Sequence, residues 1–178
     1  MADTVLVAYG TTNGSTEEIA EAVAGTLREG GLTARTLPAR DVTSVASYDA
    51  VVVGGGLYAG RWHKDARRFV RRHREELAHR PVWLFSSGPL DSSAADRDIP
   101  AVRGVQRTMN RLDVQGHITF GGCLKEGAKG RIAKMIISSG KGGDYRDFGA
   151  IEQWAKGIAK ALTRDEELRT HPRSGTAR

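Results

Sequence analysis

Five short apolar runs, each followed by a stretch with helical spacing, constrain this chain more than any other feature of its sequence. The first, Thr4 to Tyr9 (TVLVAY), is rich in β-branched residues and apolar on both alternating faces, as a strand buried on both sides must be. A polar loop follows, and from Thr16 to about Glu29 the residues Ile19, Val23 and Leu27 recur every four positions beside Ala20 and Ala24. That spacing predicts a helix with one apolar stripe, stopped by Gly30-Gly31. Leu32 to Leu37 reads as the second strand, Asp41 to Tyr48 as a short connecting helix or turn, and Ala50 to Gly54 (AVVVG) as the third strand. Ala66, Phe69, Val70, His73 and Leu77 return to helical spacing, Pro81 to Ser86 is the fourth strand, and Pro100 to Leu112 is a helix with Val102, Val105, Met109 and Leu112 inward. Gly116 to Leu124 is the fifth strand, and Phe148 to Leu162 is the last helix, with Ile151, Trp154, Ala155, Ile158 and Leu162 on one face.

Strands that alternate with helices pair in parallel, because parallel neighbours need crossover connections, and right-handed crossovers cover both faces of the sheet. The expected fold class is therefore α/β, a doubly wound five-stranded parallel sheet of order 2-1-3-4-5. Its direction reverses between strands one and three, so the loops after Tyr9 and after Gly54 should flank the crevice where a ligand binds. The 178 residues suit one domain that needs no crosslink. We place it at residues 1–163, followed by a polar, frayed tail at 164–178 that contains Pro172 and Gly175.

Cys123 is the only cysteine, so no intramolecular disulfide is expected, and no Cys/His spacing resembles a metal site. With no secretory leader and no apolar stretch long enough to span a bilayer, a cytoplasmic protein is expected, and any membrane contact should be peripheral. Charge is unevenly spread. The whole chain carries +6, yet Met1 to Gly60 holds seven acidic and three basic residues. Arg61 to Arg80 has eight basic and three acidic residues, and Leu124 to Arg146 has six and two. Such basic segments suit an anionic membrane surface, an acidic redox partner or a polyanionic substrate. No stacking platform or recognition helix accompanies them, which argues against nucleic acid.

The loop after the first strand is Gly10-Thr11-Thr12-Asn13-Gly14-Ser15-Thr16, and it leads directly into a helix. Hydroxyl and amide donors at a helix N-terminus form a cradle for phosphate, here without Lys or Arg. The missing Gly-Lys-Ser/Thr excludes a nucleoside-triphosphate loop, and the glycine spacing does not match the dinucleotide fingerprint. A phosphoacceptor receiver domain needs acidic residues where this chain has Tyr9-Gly10 and Gly54-Gly55. Simple helix capping is the competing account of the loop. Against it stands Gly54-Gly55-Gly56-Leu57-Tyr58-Ala59-Gly60 after the third strand, whose glycines allow close backbone approach to a flat ring.

Thr11-x-Asn13-Gly14-x-Thr16 resembles the phosphate loop of flavodoxins, and Gly-Gly-Gly-Leu-Tyr resembles their second flavin loop. Within that superfamily the chain resembles menaquinone-dependent protoporphyrinogen IX dehydrogenases and related flavodoxin domain proteins from about Val5 to Leu162. The supporting segments are Val53 to His63, the Phe69-Val70 helix, and Gly142-Gly143-Asp144-Tyr145-Arg146-Asp147-Phe148 leading to Trp154-Ala155. The resemblance implies a flavodoxin-like fold binding FMN, with Thr11, Thr12, Asn13, Gly14, Ser15 and Thr16 around the phosphate. It places Gly55, Gly56, Leu57, Tyr58, Ala59 and Gly60 beside the isoalloxazine, and Ser86, Ser87, Gly88 and Pro89 as the opposite wall. It also implies redox chemistry from a porphyrinogen-type donor to a quinone, with no catalytic side chain nominated. The alternatives are a flavodoxin-type electron carrier or quinone reductase, and a flavin-free interaction module that keeps the fold.

The chain departs from electron-carrier flavodoxins in two ways. Tyr58 or Trp62 offers an aromatic on one side of the ring, but Leu90 and Asp91 offer none on the other, and the acidic surface is missing. Of the histidines, His63 lies next to the second flavin loop, whereas His73, His79, His117 and His171 read as structural or surface residues. Cys123, Trp83 and Trp154 read as core. Arg67, Arg68, Arg71, Arg72 and Arg74 read as a solvated helix face, with porphyrin carboxylates as a second reading. The insertion from Lys125 to Gly143 carries Arg131-Ile132-Ala133-Lys134-Met135-Ile136-Ile137, either a helix packed over the sheet edge or a basic amphipathic helix on anionic lipid.

Overall fold

A computed structural model describes residues 3–170. Strands β1 (Thr4–Gly10), β2 (Thr33–Pro38), β3 (Ala50–Tyr58), a short β4 (Arg61–Trp62), β5 (Val82–Ser87) and β6 (Gly116–Phe120) form one sheet. The parallel strands run in the order β2-β1-β3-β5-β6, and β4 folds back antiparallel on the end of β3. This is the doubly wound order expected from the alternation. Around it lie α1 (Ser15–Glu29), α2 (Lys64–Arg72), α3 (Arg74–Leu77), α4 (Ser93–Asp96), α5 (Arg103–Leu112), α6 (Arg131–Ser138) and α7 (Phe148–Thr170). Strands β7 (Cys123–Leu124) and β8 (Gly143–Asp144) form a separate antiparallel pair.

The pleat of β1 assigns its residues to two cores. Val5, Val7 and Tyr9 face α1 and α7 with Ile19, Val23, Leu27, Phe85, Ile151 and Ile158, while Leu6 and Ala8 face α2 and α5 with Phe69, Leu84 and Val105. Both faces of the sheet are covered, which is why the strands read as continuous apolar runs. Each fully buried Leu or Ile in these layers contributes about 1.5–3 kcal/mol of transfer free energy. Trp83 and Trp154 belong to the first core, as the sequence suggests, and Phe85 packs against Phe120 and Trp154 at centroid separations of 5.9 and 6.0 Å.

Three boundaries differ from the sequence reading. Strand β3 continues through Gly55, Gly56 and Leu57 to Tyr58, so the turn is reduced to Ala59 and Gly60, both with positive φ. Asp41 to Tyr48 takes the turn form of the two read for it. The fifth parallel strand stops at Phe120, and Cys123-Leu124 leaves the sheet to pair with Gly143-Asp144. Helix α7 continues to Thr170 through the first part of the stretch read as a tail, and residues 171–178 lie outside the described residues, as does His171. Charged residues with high helix propensity extend a helix that is already nucleated by its buried apolar face. Among the described residues, no helix is long and apolar enough to cross a membrane, and no His/Cys/Asp/Glu cluster is arranged to hold a metal.

Candidate functional site

Strand β1 ends at Gly10, next to the C-terminal part of β3, and the loop 11–14 turns the chain into α1. Gly14 is the N-cap, with φ +85°, and no side chain caps the helix from that position. The Gly14 N–H donates to Thr11 Oγ1 at 3.0 Å, which closes the loop on itself. The first-turn N–H groups of α1 therefore point out of the helix end without intrahelical acceptors. Ser15 Oγ is buried beside them and has no hydrogen-bond partner. A buried hydroxyl without an acceptor or donor costs about 1–3 kcal/mol, so its neighbourhood favours a polar guest. Simple capping, the competing account of this loop, does not explain Ser15.

The other loop side chains are held by neighbouring elements. Thr12 Oγ1 lies 3.2 Å from His63 Nε2, and His63 Nδ1 accepts the Asp65 N–H at 3.2 Å as the cap of α2. Because Nδ1 accepts, the ring proton sits on Nε2 and is donated to Thr12, leaving the Thr12 hydroxyl proton free to point elsewhere. Asn13 Nδ2 donates to Tyr58 Oη at 3.1 Å, and Asn13 Oδ1 accepts the Lys129 N–H at 2.8 Å. One amide thus ties the loop to the end of β3 and to the insertion. Thr16 is buried, and a Cβ added at Gly56 would lie 3.2 Å from its Oγ1.

His63 is buried, and burial lowers its pKa from the ordinary value of about 6.5. The unfolded chain therefore binds the proton first, and stability falls as pH drops below about 6.5. His117, whose Nε2 lies 3.1 Å from Ser86 Oγ, is shifted down by burial in the same way. We expect His63→Gln to flatten the acid limb of the stability profile below about pH 6.5, measured by urea unfolding. An unchanged slope would show that His63 is already solvated or charged in the folded state.

These elements enclose a cleft of about 370 Å³. Thr11, Asn13, Ser15 and Thr16 form one end, Gly56 to Gly60 a side, and Ser87 to Leu90 the opposite wall. Cys123 and Leu124, with Ile132, Ala133 and Ile136 of α6, close over it. A second cavity of about 350 Å³ adjoins the loop at Thr12, Asn13, Ser15 and Glu18, and residues 125–129 complete it. The first cleft lies in the size range of small-molecule and cofactor sites, and its lining is mainly apolar with a polar end.

Most residues singled out in the sequence meet here, with exceptions that have physical causes. Thr12 faces the adjoining cavity, and Gly14 lies at the loop's outer side near Tyr9 and Glu17. Gly55 does not line the cleft. A Cβ there would be 2.4 Å from Trp62 Nε1, so its missing side chain makes room for that indole. Ser86 is buried in β5 and bonded to His117. Trp62 is 2 % exposed and donates Nε1–H to the Phe85 carbonyl at 3.2 Å, so only Tyr58 of the two aromatic candidates faces the cleft. The rest of the apolar lining is aliphatic: Leu57 beside Tyr58, Leu90 on the opposite wall, and Ile132 and Ile136 above.

The sequence reading missed the contribution of the insertion. Cys123, read as core, is half-buried on the cleft wall, and burial pushes its thiol pKa up. Helix α6 uses Ala133 as its buried contact and lays Ile132 and Ile136 over the cleft, while Met135 is 64 % exposed. Its amphipathic spacing was visible, but which surface it covers depends on contacts far away in sequence. Arg67, Arg68, Arg71, Arg72 and Arg74 are exposed on the α2–α3 face, as read.

Comparison with known proteins agrees with this architecture. The chain is 30 % identical to the Escherichia coli K12 protein named protoporphyrinogen IX dehydrogenase [quinone], over 46 % of each sequence. The chain thus matches less than half the length of that relative. Among solved structures, a mutant flavodoxin from Pseudomonas aeruginosa superposes with TM-score 0.59 at 20 % identity, over 90 % of this chain and 99 % of the flavodoxin. Oxidised flavodoxin 1 from Bacillus cereus gives TM-score 0.60 at 16 % identity, over 89 % and 99 %. Rubredoxin oxygen:oxidoreductase of Desulfovibrio gigas gives 0.62 at 12 % identity, over 90 % of this chain and 36 % of its own. These identities establish the fold. Residues 6–138 match the flavodoxin domain family, and the chain belongs to it.

Proposed function

We propose that this protein is an FMN-dependent oxidoreductase whose cofactor lies in the cleft with its phosphate at the N-terminus of α1. The observation that carries the reading is the buried, unpartnered Ser15 Oγ beside the open first turn of that helix. Thr11, Asn13, Ser15 and Thr16 would hold the phosphate through hydroxyl, amide and backbone donors, with Thr12 and Gly14 shaping the loop from its outer side. Gly56 to Gly60 and Ser87 to Pro89 would flank the ring, with Gly55 and Ser86 supporting those walls from behind. FMN, when bound, supplies one- and two-electron transfer chemistry, and the protein supplies orientation, water exclusion and local electrostatics.

Within that reading we assign a porphyrinogen-type electron donor and a quinone acceptor. The aliphatic lining of Leu57, Leu90, Ile132 and Ile136 leaves an apolar face for a second planar molecule, and the cations of residues 125–134 suit carboxylated substrates or an anionic membrane surface. Exposed Ile132 and Met135, each next to a cation at Arg131 or Lys134, support peripheral membrane contact from the cytoplasmic side. The second reading, an electron carrier working with a protein partner, is favoured by the alignment with flavodoxins over 99 % of their length. Anaerobic turnover separates the two. FMN-loaded protein should oxidise a porphyrinogen when a menaquinone analogue is supplied, and a carrier would instead exchange electrons only with a reductase.

A further inference from the structure

The side chain of Arg146 is 2 % exposed where the β7–β8 pair meets the first turn of α1. Its Nη1 donates to Glu18 Oε2 at 2.7 Å and to the Ser15 carbonyl at 3.5 Å. Nη2 and Nε donate to the two Asp144 carboxylate oxygens at 2.6 and 2.8 Å, and the guanidinium lies 5.1 Å from the Phe148 ring centroid. The bidentate pair holds the Asp144 carboxyl down at about 2 and raises the Arg146 pKa, so both remain charged.

Glu18 creates the need for this cation. An acidic residue in the first turn of α1 favours the helix dipole, but Glu18 lines the same cavity as Thr12, Asn13 and Ser15. A free carboxylate there would repel a phosphate dianion held by uncharged donors. The loop itself contains no cation to offset it.

We propose that Arg146 is a positioning residue that sets the preference for FMN over riboflavin. It does so by holding Glu18 in an ion pair and by fixing the Ser15 end of the helix, without touching the phosphate itself. This rests on the reading that the cleft holds FMN. A brace that only stabilised the hairpin would affect both flavins alike, whereas a charge effect on the phosphate affects FMN alone.

Fluorescence titration of the full chain with FMN and with riboflavin at low salt tests the proposal. Arg146→Gln is expected to weaken FMN binding about tenfold while riboflavin binding changes less than about twofold. Arg146→Lys keeps the charge but loses the bidentate fork to Asp144, so it should retain only part of the FMN preference. Glu18→Gln removes an exposed carboxylate and should not weaken FMN binding, and in the double variant with Arg146→Gln it should restore part of the lost affinity, the unpaired Asp144 carboxylate accounting for the rest. Equal weakening of both flavins by Arg146→Gln, no change in either, or a double variant as weak as the single one would overturn the proposal. Should the unsubstituted chain bind riboflavin as tightly as FMN, the phosphate site itself is refuted. If Arg146→Gln does not fold, weaker FMN binding in Glu18→Gln overturns it, as does an Arg146→Lys variant that weakens both flavins alike.

Discussion

Gly54→Ala is expected to destabilise the fold by about 3 kcal/mol, at the upper end of what overpacking a buried site costs. A Cβ at Gly54 would lie 2.0 Å from Phe85 Cζ and 2.4 Å from Cε1. The ring has nowhere to go, because Phe85 is fully buried and bounded by Phe120 and Trp154. Interiors packed at crystal-like density pass such strain to the next layer. Urea unfolding of the apoprotein gives the measurement, and a loss under about 1 kcal/mol would show that the aromatic cluster can repack.

Two residues further on, the same kind of substitution has a different result. Gly56→Val should cost the fold about 1 kcal/mol, less than Gly54→Ala, and weaken FMN binding by about a hundredfold, equivalent to about 2.7 kcal/mol. Gly56 lies in β3 without positive φ, so a β-branched residue suits its backbone. The added methyl groups would stand in the cleft beside Thr16 and Tyr58, where a Cβ alone would be 3.2 and 3.5 Å from the nearest atoms. Isothermal titration of the folded variant measures this. Unchanged affinity in the folded variant would place the flavin elsewhere.

These paired glycines also show what could be read in the sequence and what could not. The third strand was read as ending at Gly54 and the glycines beyond it as a loop open to a flat ring, in keeping with the depletion of glycine in strands. In the structure Gly54, Gly55 and Gly56 are all strand residues, the first two making room for the Phe85 and Trp62 rings and the third opening the cleft, and of the glycines only Gly60 takes the left-handed region. The distinction depends on which distant ring approaches each position, and local pattern carries no such information. The strand order and the first loop were legible for the opposite reason. Buried parallel strands and an amphipathic crossover helix repeat a local signal, and Thr11 to Thr16 occupies consecutive positions at the end of β1.

The insertion lies between these cases. The spacing of residues 131–137 announced a helix, and α6 spans Arg131–Ser138. Its placement over the cleft depends on the Lys129 N–H reaching Asn13 Oδ1 across 116 residues, and on the β7–β8 pair that detaches Cys123 from the sheet. Strand five was read through to Leu124 because Cys123 and Leu124 are apolar enough to continue it. The Gly121 and Gly122 backbone instead packs against Tyr145 and Gly88, where a Cβ would clash. Helix α7 was cut short in the sequence because its last turns lose the apolar stripe while keeping good helix formers.

The central claim is that uncharged donors at the start of α1 hold the phosphate of FMN in this cleft. Equilibrium dialysis of the folded, flavin-free chain against FMN, with riboflavin and inorganic phosphate as separate competitors, addresses it most directly. The account predicts one FMN per chain, a visible flavin spectrum on binding, tighter binding of FMN than of riboflavin, and displacement of FMN by phosphate at high concentration. A well-folded chain that takes up no FMN at large excess would contradict it.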